Sequence, residues 1–464
     1  MHKEITMNIF RIFFIAIITV TLLSCRKYVE NVPVQGQRVL VYTTDYRLLI
    51  NNKADSEIGS GNSAILSCDD IDLNDPLLQQ DVANDPTNVT MYTWGKPFYV
   101  DKMDDFDWNA MYKGMYTFNT VIAGVLDSKG GSQEERNAIY AEGLIQRAFT
   151  YFTLVNAYGK QYDGATASAD PGVPLLLEAK LFVNLERATV AQVYAQVLKD
   201  LEIALPLIPV NQVNSLKPTK ASAYALLAKV YLNMRNFSAA QQAAEQSLAL
   251  TNTLYDYNSF VGTTKLPFPR LVDNREVLLR KISRTSYPAL RLSDELLNLL
   301  ETTDLRRTLF TKDGSSSTFW PNFSGVGFWP GSGTDQSNVG LSVSETWLIR
   351  AECLARAGRR DDAVKMLNDL RKLRFLKDNY VALNATTDQQ VLEMVINERR
   401  REFFGTGLRW FDQKRLNKET TFAKTVTRMF NGTIYTLLPN SNAYVFPLSS
   451  IIVNQNPELI QNPK

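Results

Sequence analysis

Histidine is all but missing from this chain. The one His among 464 residues is His2, and it stands in a stretch that reads as a removable leader. The mature chain then has no imidazole, which excludes Ser-His-Asp and Cys-His catalysis and His-ligated zinc or iron sites. A pair of carboxylates is not excluded, since Asp and Glu suffice for glycoside hydrolysis. Cysteine is nearly as scarce: Cys25, Cys68 and Cys353. Cys353 falls in a helical apolar stripe, where a buried free thiol is the commoner state, and its pairing with Cys68 stays open. An excess of either charge is also lacking. Fifty Lys and Arg against 48 Asp and Glu give +2, and removal of residues 1–24, with Lys3, Arg11 and Glu4, leaves +1. The basic excess of a nucleic-acid partner is absent, and charge alone would not hold the chain to a membrane. The apolar run Ile12–Leu23, broken only by Thr19 and Thr21, has 12 residues, where a spanning helix needs about 20.

That short run, with Lys3 and Arg11 before it and Leu22-Leu23-Ser24-Cys25 after it, has the parts of an export signal. Leu-x-Ser-Cys resembles a bacterial lipobox. The resemblance implies that the Cys25 thiol takes a diacylglycerol, that the chain is cut before it, and that the new N-terminus is acylated. Several acyl chains at about 0.8 kcal/mol per buried CH₂ give stable anchoring. The mature protein is therefore expected to begin at Cys25, held on a membrane face by its lipids.

The remaining 440 residues carry enough apolar sequence for a large core, at 45% of the chain. From Asp107, Trp108, Met111, Met115, Phe118 and Ile122 recur at helical steps. A longer helix is expected over 132–157, opened by Ser132 and Glu135, with Leu144, Ala148, Tyr151, Phe152 and Val155 inward. Another spans about 189–205. A helical pair follows Pro218, over 219–234 and 238–250. The plan returns 123 residues later: Ala228, Tyr231 and Ala240 correspond to Ala351, Leu354 and Ala363. Small residues at these positions let helices approach closely, as in tetratricopeptide helix pairs, although long insertions separate the repeats here. The stretch 50–105, rich in Asn, Asp, Gly and Pro, reads as irregular loop.

Two aromatic clusters sit in expected loops. "GSSSTFWPNFSGVGFWPGSGTDQ" (314–336) holds Phe319, Trp320, Asn322, Phe323, Phe328 and Trp329, and the earlier stretch holds Tyr92, Trp94, Phe98 and Tyr99. Exposed rings of this kind mark interaction sites; rings folded back would instead plug the body. Ligand-binding candidates are Trp320, Trp94, Tyr92, Phe319, Trp329, Phe328 and Asn322. Asp69, Asp70, Asp72, Asn74 and Asp75 begin like a calcium loop, but Asp75 stands where glycine is needed and Asp81 where Glu is expected. A solvated acidic loop is the reading, and no metal or cofactor is expected. In "NERRREFFGTGLRWFDQKR" (397–415) Arg399, Arg400 and Arg401 interleave with Glu398 and Glu402, which favours ion pairs along the helix over a basic patch.

Four passages together resemble the SusD/RagB family of outer-membrane lipoproteins. They are "CRKYVENVPVQGQ" (25–37); "AEGLIQRAFTYFTLVNAYG" (141–159) with "DPGVPLLLE" (170–178); "ETWLIRAECLARAGRRDDAVKMLNDLRKLR" (345–374) with Glu398, Arg399, Glu402, Gly407, Arg409, Trp410, Asp412 and Arg415; and "VFPLSSIIVNQNPELIQNP" (445–463). Thr406 departs from the pattern, which has Glu before the glycine. The resemblance implies a mainly α fold: four tetratricopeptide-like helix pairs in a right-handed superhelical scaffold, packed against an irregular loop-rich half. Residues 25–464 would form a single domain after the 1–24 signal, with repeats over about 106–160, 189–250 and 341–415. The loop-rich ligand half would be about 38–105 and 252–340, with an irregular tail over 416–464. It also implies a non-enzymatic binder of a glycan or peptide, facing the cell exterior on the outer membrane. Its partner would be a SusC-type TonB-dependent transporter. The rivals are a helical-repeat lipoprotein scaffold for outer-membrane protein assembly, which would lack the roughly 90-residue insertion after Asn252, and a carboxylate-pair glycosidase.

Overall fold

The structure is a computed structural model describing residues 39–463 apart from 60–61, 96–97, 100–102, 263–267, 284–290, 317–322 and 330–336. Residues 1–38, Cys25 among them, and Phe319, Trp320 and Asn322 lie outside the described residues. Among those described, nine helices of nine residues or more carry the architecture: α1 Phe106–Gly124, α2 Gln133–Tyr158, α3 Val190–Ala204, α4 Lys220–Asn233, α5 Phe237–Leu250, α6 Val343–Arg356, α7 Arg360–Arg371, α8 Asp388–Phe403 and α9 Leu408–Leu416. No helix among the described residues is long and apolar enough to cross a membrane.

Short turns join α1 to α2, α4 to α5, α6 to α7 and α8 to α9, giving four helix pairs, with α3 laid on α2. The pairs stack in chain order: α5 packs on α6, and α6 and α7 pack on α8. The 123-residue repeat is real in three dimensions. Asn236 N–H donates to the Tyr231 carbonyl at 2.9 Å, and Arg359 N–H donates to Leu354 at the same distance. Each turn has a left-handed residue at the equivalent place, Arg235 (φ 62°) and Gly358 (φ 71°); only the glycine adopts it without steric cost. Ala228, Ala240 and Ala244, all fully buried, meet Ile349 and Cys353 where α5 lies on α6. Threonine side chains start α3, α4 and α8, each closed by a reciprocal bond three residues on: Thr189 with Gln192, Thr219 with Ser222, Thr387 with Gln390.

The stretch expected as irregular loop over 50–105 is largely short helices: Lys53–Ser56, Asn62–Ser67, Pro76–Ala83 and Pro86–Tyr92. Asn52, Asp75 and Asp85 cap three of them, with Pro76 and Pro86 as the first helical residues of two. An Asx-Pro step stops a preceding helix but also starts a new one. The expected acidic loop is likewise corrected. Asp69 and Asp70 are buried, paired with Arg409 and Arg400 at 2.7 Å each, and Asp75 is a cap. Cys68 and Cys353 are both buried free thiols.

The insertion between α5 and α6 is rooted by strands β1 Val277–Leu279 and β4 Leu341–Ser342, which pair antiparallel. Within it, β2 Thr311–Asp313 and β3 Val326–Phe328 form a second ladder, with Phe328 opposite Thr311. The tail expected as irregular contains a hairpin, β5 Val426–Phe430 with β6 Thr433–Leu437. Its far end is hooked onto the scaffold: Asn462 Nδ2 donates to the carbonyls of Tyr158 and Phe446, and Arg187 donates to the Ile460 carbonyl. Trp410, fully buried, stacks on Tyr444 and Phe446 at 4.6 and 5.5 Å.

Candidate ligand-binding site

A cleft of about 130 Å³ opens where the insertion meets the end of α8. One wall is a cluster of rings set edge to face. Tyr257, Phe268 and Phe310 have centroids 5.1–5.7 Å apart and planes at 74–89°. The other wall is Phe328 against Phe404, 5.6 Å apart at 83°. Edge-to-face packing of this kind fixes ring orientation. Gly405 makes the second wall possible: its φ is +75°, and a Cβ there would stand 2.4 Å from the Phe328 ring. The Gly405 turn follows α8 directly, so the helix end positions Phe404 and the β2–β3 ladder positions Phe328.

Polar groups line the rest. Ser337, Asn338, Ser342, Ser344 and Thr406 supply hydroxyls and an amide, and Asn274, Glu276 and Glu402 lie deeper. The carboxylates are not free. Arg374 Nη2 stands 3.0 Å from Glu276 and 2.8 Å from Glu402, and Arg306 holds Glu402 at 2.9 Å. Burial raises the Glu276 carboxyl more than Arg374 lowers it, and Glu402 adds to the rise. Burial acts on Glu402 too, but Arg374 and Arg306 outweigh it and keep it below the ordinary range. The guanidinium of Arg374 rests on the Tyr257 ring, 3.9 Å from its centroid. The deep end is therefore a fixed ion-pair lattice and the open part an aromatic slot edged with hydrogen-bonding groups. Such a surface suits a ring-bearing polar ligand: C–H faces on the aromatics, hydroxyls on the rim.

Of the residues predicted from sequence, Phe328 lines the cleft. Trp329 is beside it, half-buried, its ring under the Lys312 ammonium at 3.4 Å. Tyr92 and Trp94 are elsewhere, away from this cleft and buried in the body. They sandwich the guanidinium of Arg428, 4.2 and 4.6 Å from the two ring centroids. Trp94 Nε1 donates to the Ser67 carbonyl at 2.9 Å. Phe98 and Tyr99 are buried as well. Sequence reasoning missed Tyr257, Phe268, Phe310 and Phe404. The signal available for Phe404 was Gly405-Thr406-Gly407, which ends α8 and turns the aromatic off the helix face.

Two family models match the chain: one described as "Starch-binding associating with outer membrane" over residues 73–232, and the SusD family over residues 330–464. The chain belongs to the SusD/RagB family. It is 30% identical over 149 residues to SusD-like protein P2 of Formosa agariphila, a match that spans 31% of this chain and 26% of that relative. Solved structures share the fold at lower identity. A SusD superfamily protein from Bacteroides thetaiotaomicron superposes with a TM-score of 0.74 at 21% identity, covering 91% of this chain and 100% of that one. A putative sugar binding protein from Bacteroides vulgatus gives 0.71 at 20%, covering 92% and 99%. Surface glycan-binding protein A from Bacteroides uniformis gives 0.68 at 16%, covering 90% and 99%. The mainly helical scaffold of this SusD/RagB protein is thus the expected one.

Proposed function

We propose that this SusD/RagB protein is a lipid-anchored, non-enzymatic binder on the outer face of the outer membrane. It captures an oligosaccharide and passes it, unaltered, to a SusC-type TonB-dependent transporter. The observation that carries this reading is the cleft: two aromatic walls and a hydroxyl-rich rim, with the ring-bearing stretch Phe319, Trp320 and Asn322 on the chain between β2 and β3. Sugar rings stack on aromatic faces, and the rim groups take their hydroxyls. The description of the first family model and the printed names of two structural relatives point to the same ligand class. The Arg-locked state of Glu276 and Glu402 favours binding over hydrolysis, because neither carboxyl is poised beside a free partner. The Leu-x-Ser-Cys25 ending supports the lipid anchor.

The test uses the soluble mature chain with Cys25→Ser against a panel of polysaccharides and peptides, by affinity electrophoresis and calorimetry. At least one polysaccharide should retard the protein, with no new reducing ends. Phe328→Ala should weaken binding about five- to tenfold, the worth of one stacked ring at about 1 kcal/mol, with the melting temperature little changed. Trp320→Ala should act in the same direction. Binding only to peptides would reassign the ligand, and binding to nothing on the panel would end the reading. Pull-down from detergent-solubilised membranes should retain mainly one large barrel protein; recovery of many different barrels would favour the assembly scaffold.

A further inference from the structure

A second cleft, of about 250 Å³, lies on the other side of α8, between α8, α9 and the 417–424 turn. It differs in chemistry from the aromatic slot: its lining is mostly polar and carries both signs of charge, with Glu295 and Glu393 as its carboxylates. Arg400, Arg409 and Lys424 bring three cations to it. Asp69 and Asp70 hold the inner sides of the two guanidiniums: Arg409 Nε and Nη2 lie 2.7 and 2.9 Å from the Asp69 oxygens, and Arg400 Nε lies 2.7 Å from Asp70. These two carboxylates are buried, and Asp69 also lies 3.5 Å from the Lys424 ammonium.

The outer side is different. There Arg400 Nη1 and Lys424 Nζ both donate to one carboxylate, Glu295, at 2.7 and 2.5 Å. Glu295 comes from the short helix Asp294–Leu299, and its side chain is 52% exposed. One half-exposed carboxylate therefore bridges two cations at a cleft mouth. The side-chain amide of Asn417, 5% exposed, also lines the cleft, beside the Tyr444 hydroxyl. Leu416 and Phe422 give the cleft an apolar wall.

We infer that this cleft is a second binding site, for a small carboxylate with a ring or apolar flank, and that Glu295 occupies its anion position until such a ligand displaces it. The carboxylate of the ligand takes Arg400 Nη1 and Lys424 Nζ, its flank rests on Phe422, and a hydroxyl or carbonyl accepts from Asn417. A neutral molecule cannot compete for the two cations, so the site selects by charge. A sugar acid has all three parts.

The probes are sodium glucuronate, glucose and sodium acetate, titrated into the soluble mature chain by calorimetry. Glucuronate should bind at least tenfold more tightly than either glucose or acetate. Glu295→Gln removes the internal competitor and should tighten glucuronate at least threefold, and Lys424→Met should weaken it at least tenfold. Both side chains are partly exposed, so the fold should persist, with circular dichroism as the check. If Lys424→Met unfolds, the Glu295→Gln arm decides alone. Glucose binding as tightly as glucuronate, acetate binding as tightly, or no gain from Glu295→Gln would each overturn the inference. So would glucuronate binding that falls with Phe328→Ala and not with Lys424→Met, since it would then belong to the aromatic cleft. That last arm also separates the two sites: loss of polysaccharide binding alone leaves the anion site standing.

Discussion

Arg428 lies between the rings of Tyr92 and Trp94 and donates to the carbonyls of Leu66, Cys68, Ile71 and Tyr92. Among the described residues no carboxylate forms an ion pair with it. Its charge is spread over carbonyl dipoles and two π faces, and burial lowers its pKa, with Tyr92 and Cys68 opposing. Arg428→Met should cost about 3 kcal/mol or more, because several buried carbonyls lose their donor at once; urea denaturation reads this directly. The same residue explains why two rings picked out by composition do not reach solvent: they face a buried cation. Gly405 works in the opposite sense, exposing a ring to a cleft. Gly405→Ala should cost about 1–2 kcal/mol for the left-handed backbone alone and push Phe328 from its place. Ligand affinity should therefore fall with it, by at least the fivefold expected of Phe328→Ala. Unchanged affinity in Gly405→Ala would place the ligand elsewhere.

Asp75 shows how a short element is tied down. One oxygen caps Pro76–Ala83 by accepting from Leu77 and Leu78, and the other accepts from the Ser324 hydroxyl in the insertion at 2.5 Å. Asp75→Ala should lower stability by about 1 kcal/mol, whereas Asp75→Asn, also a good cap, should lose far less. Equal losses in thermal melts would shift the weight to the charge. The long helices were legible because their apolar stripes run for four or more turns: 132–157 was expected and 133–158 is found, 219–234 was expected and 220–233 is found. The helices of four to eight residues before α1 were not, because so short a segment has no period and its Asx and Pro starts look like loop. Ion pairs over 397–415 were expected along the helix. Two are there, Arg401 with Glu398 at 3.1 Å and Arg415 with Asp412 at 2.7 Å, but Arg400 goes to Asp70, 330 positions away, and Arg409 to Asp69, 340 away. Spacing along a helix reports only neighbours three and four residues off, so such partners are invisible in sequence. The candidate site was legible at Phe328 and in the region of the insertion, but not in Tyr257, Phe268 or Phe310, which meet only once the insertion folds back on α8.

At the scale of the whole molecule, a net charge near zero conceals a buried lattice. Arg306 meets Asp304, Glu398 and Glu402 at 2.7–2.9 Å, and Arg371 and Arg374 extend the set to Glu398 and Glu276. These pairs bind the base of the insertion to α7 and α8. Two buried lysines stand outside the lattice. Lys281 donates to the Ser56 carbonyl and Gln146, and Lys414 to the carbonyls of Asn156 and Gly159. Burial brings both down to about 7 from 10.5, with Glu57 opposing for Lys281 and Lys418 assisting for Lys414. Between about pH 7 and 10.5 the unfolded chain keeps protons that the folded chain has released. Stability should therefore rise with pH through that window, by up to about 1.4 kcal/mol per unit for each lysine, and be lost as pH falls through 7. Melting temperatures from pH 6 to 9 would show it, and Lys281→Met with Lys414→Met should flatten the slope.

The hook at Asn462 bears on what the 456–463 stretch does for the scaffold. It shares the Tyr158 carbonyl, 304 positions earlier, with Arg187, so a near and a far stretch of chain meet at the end of the first long hairpin. Removing the Asn462 amide would thus leave the Tyr158 carbonyl with Arg187 as its donor, while the Phe446 carbonyl would lose its contact with this stretch.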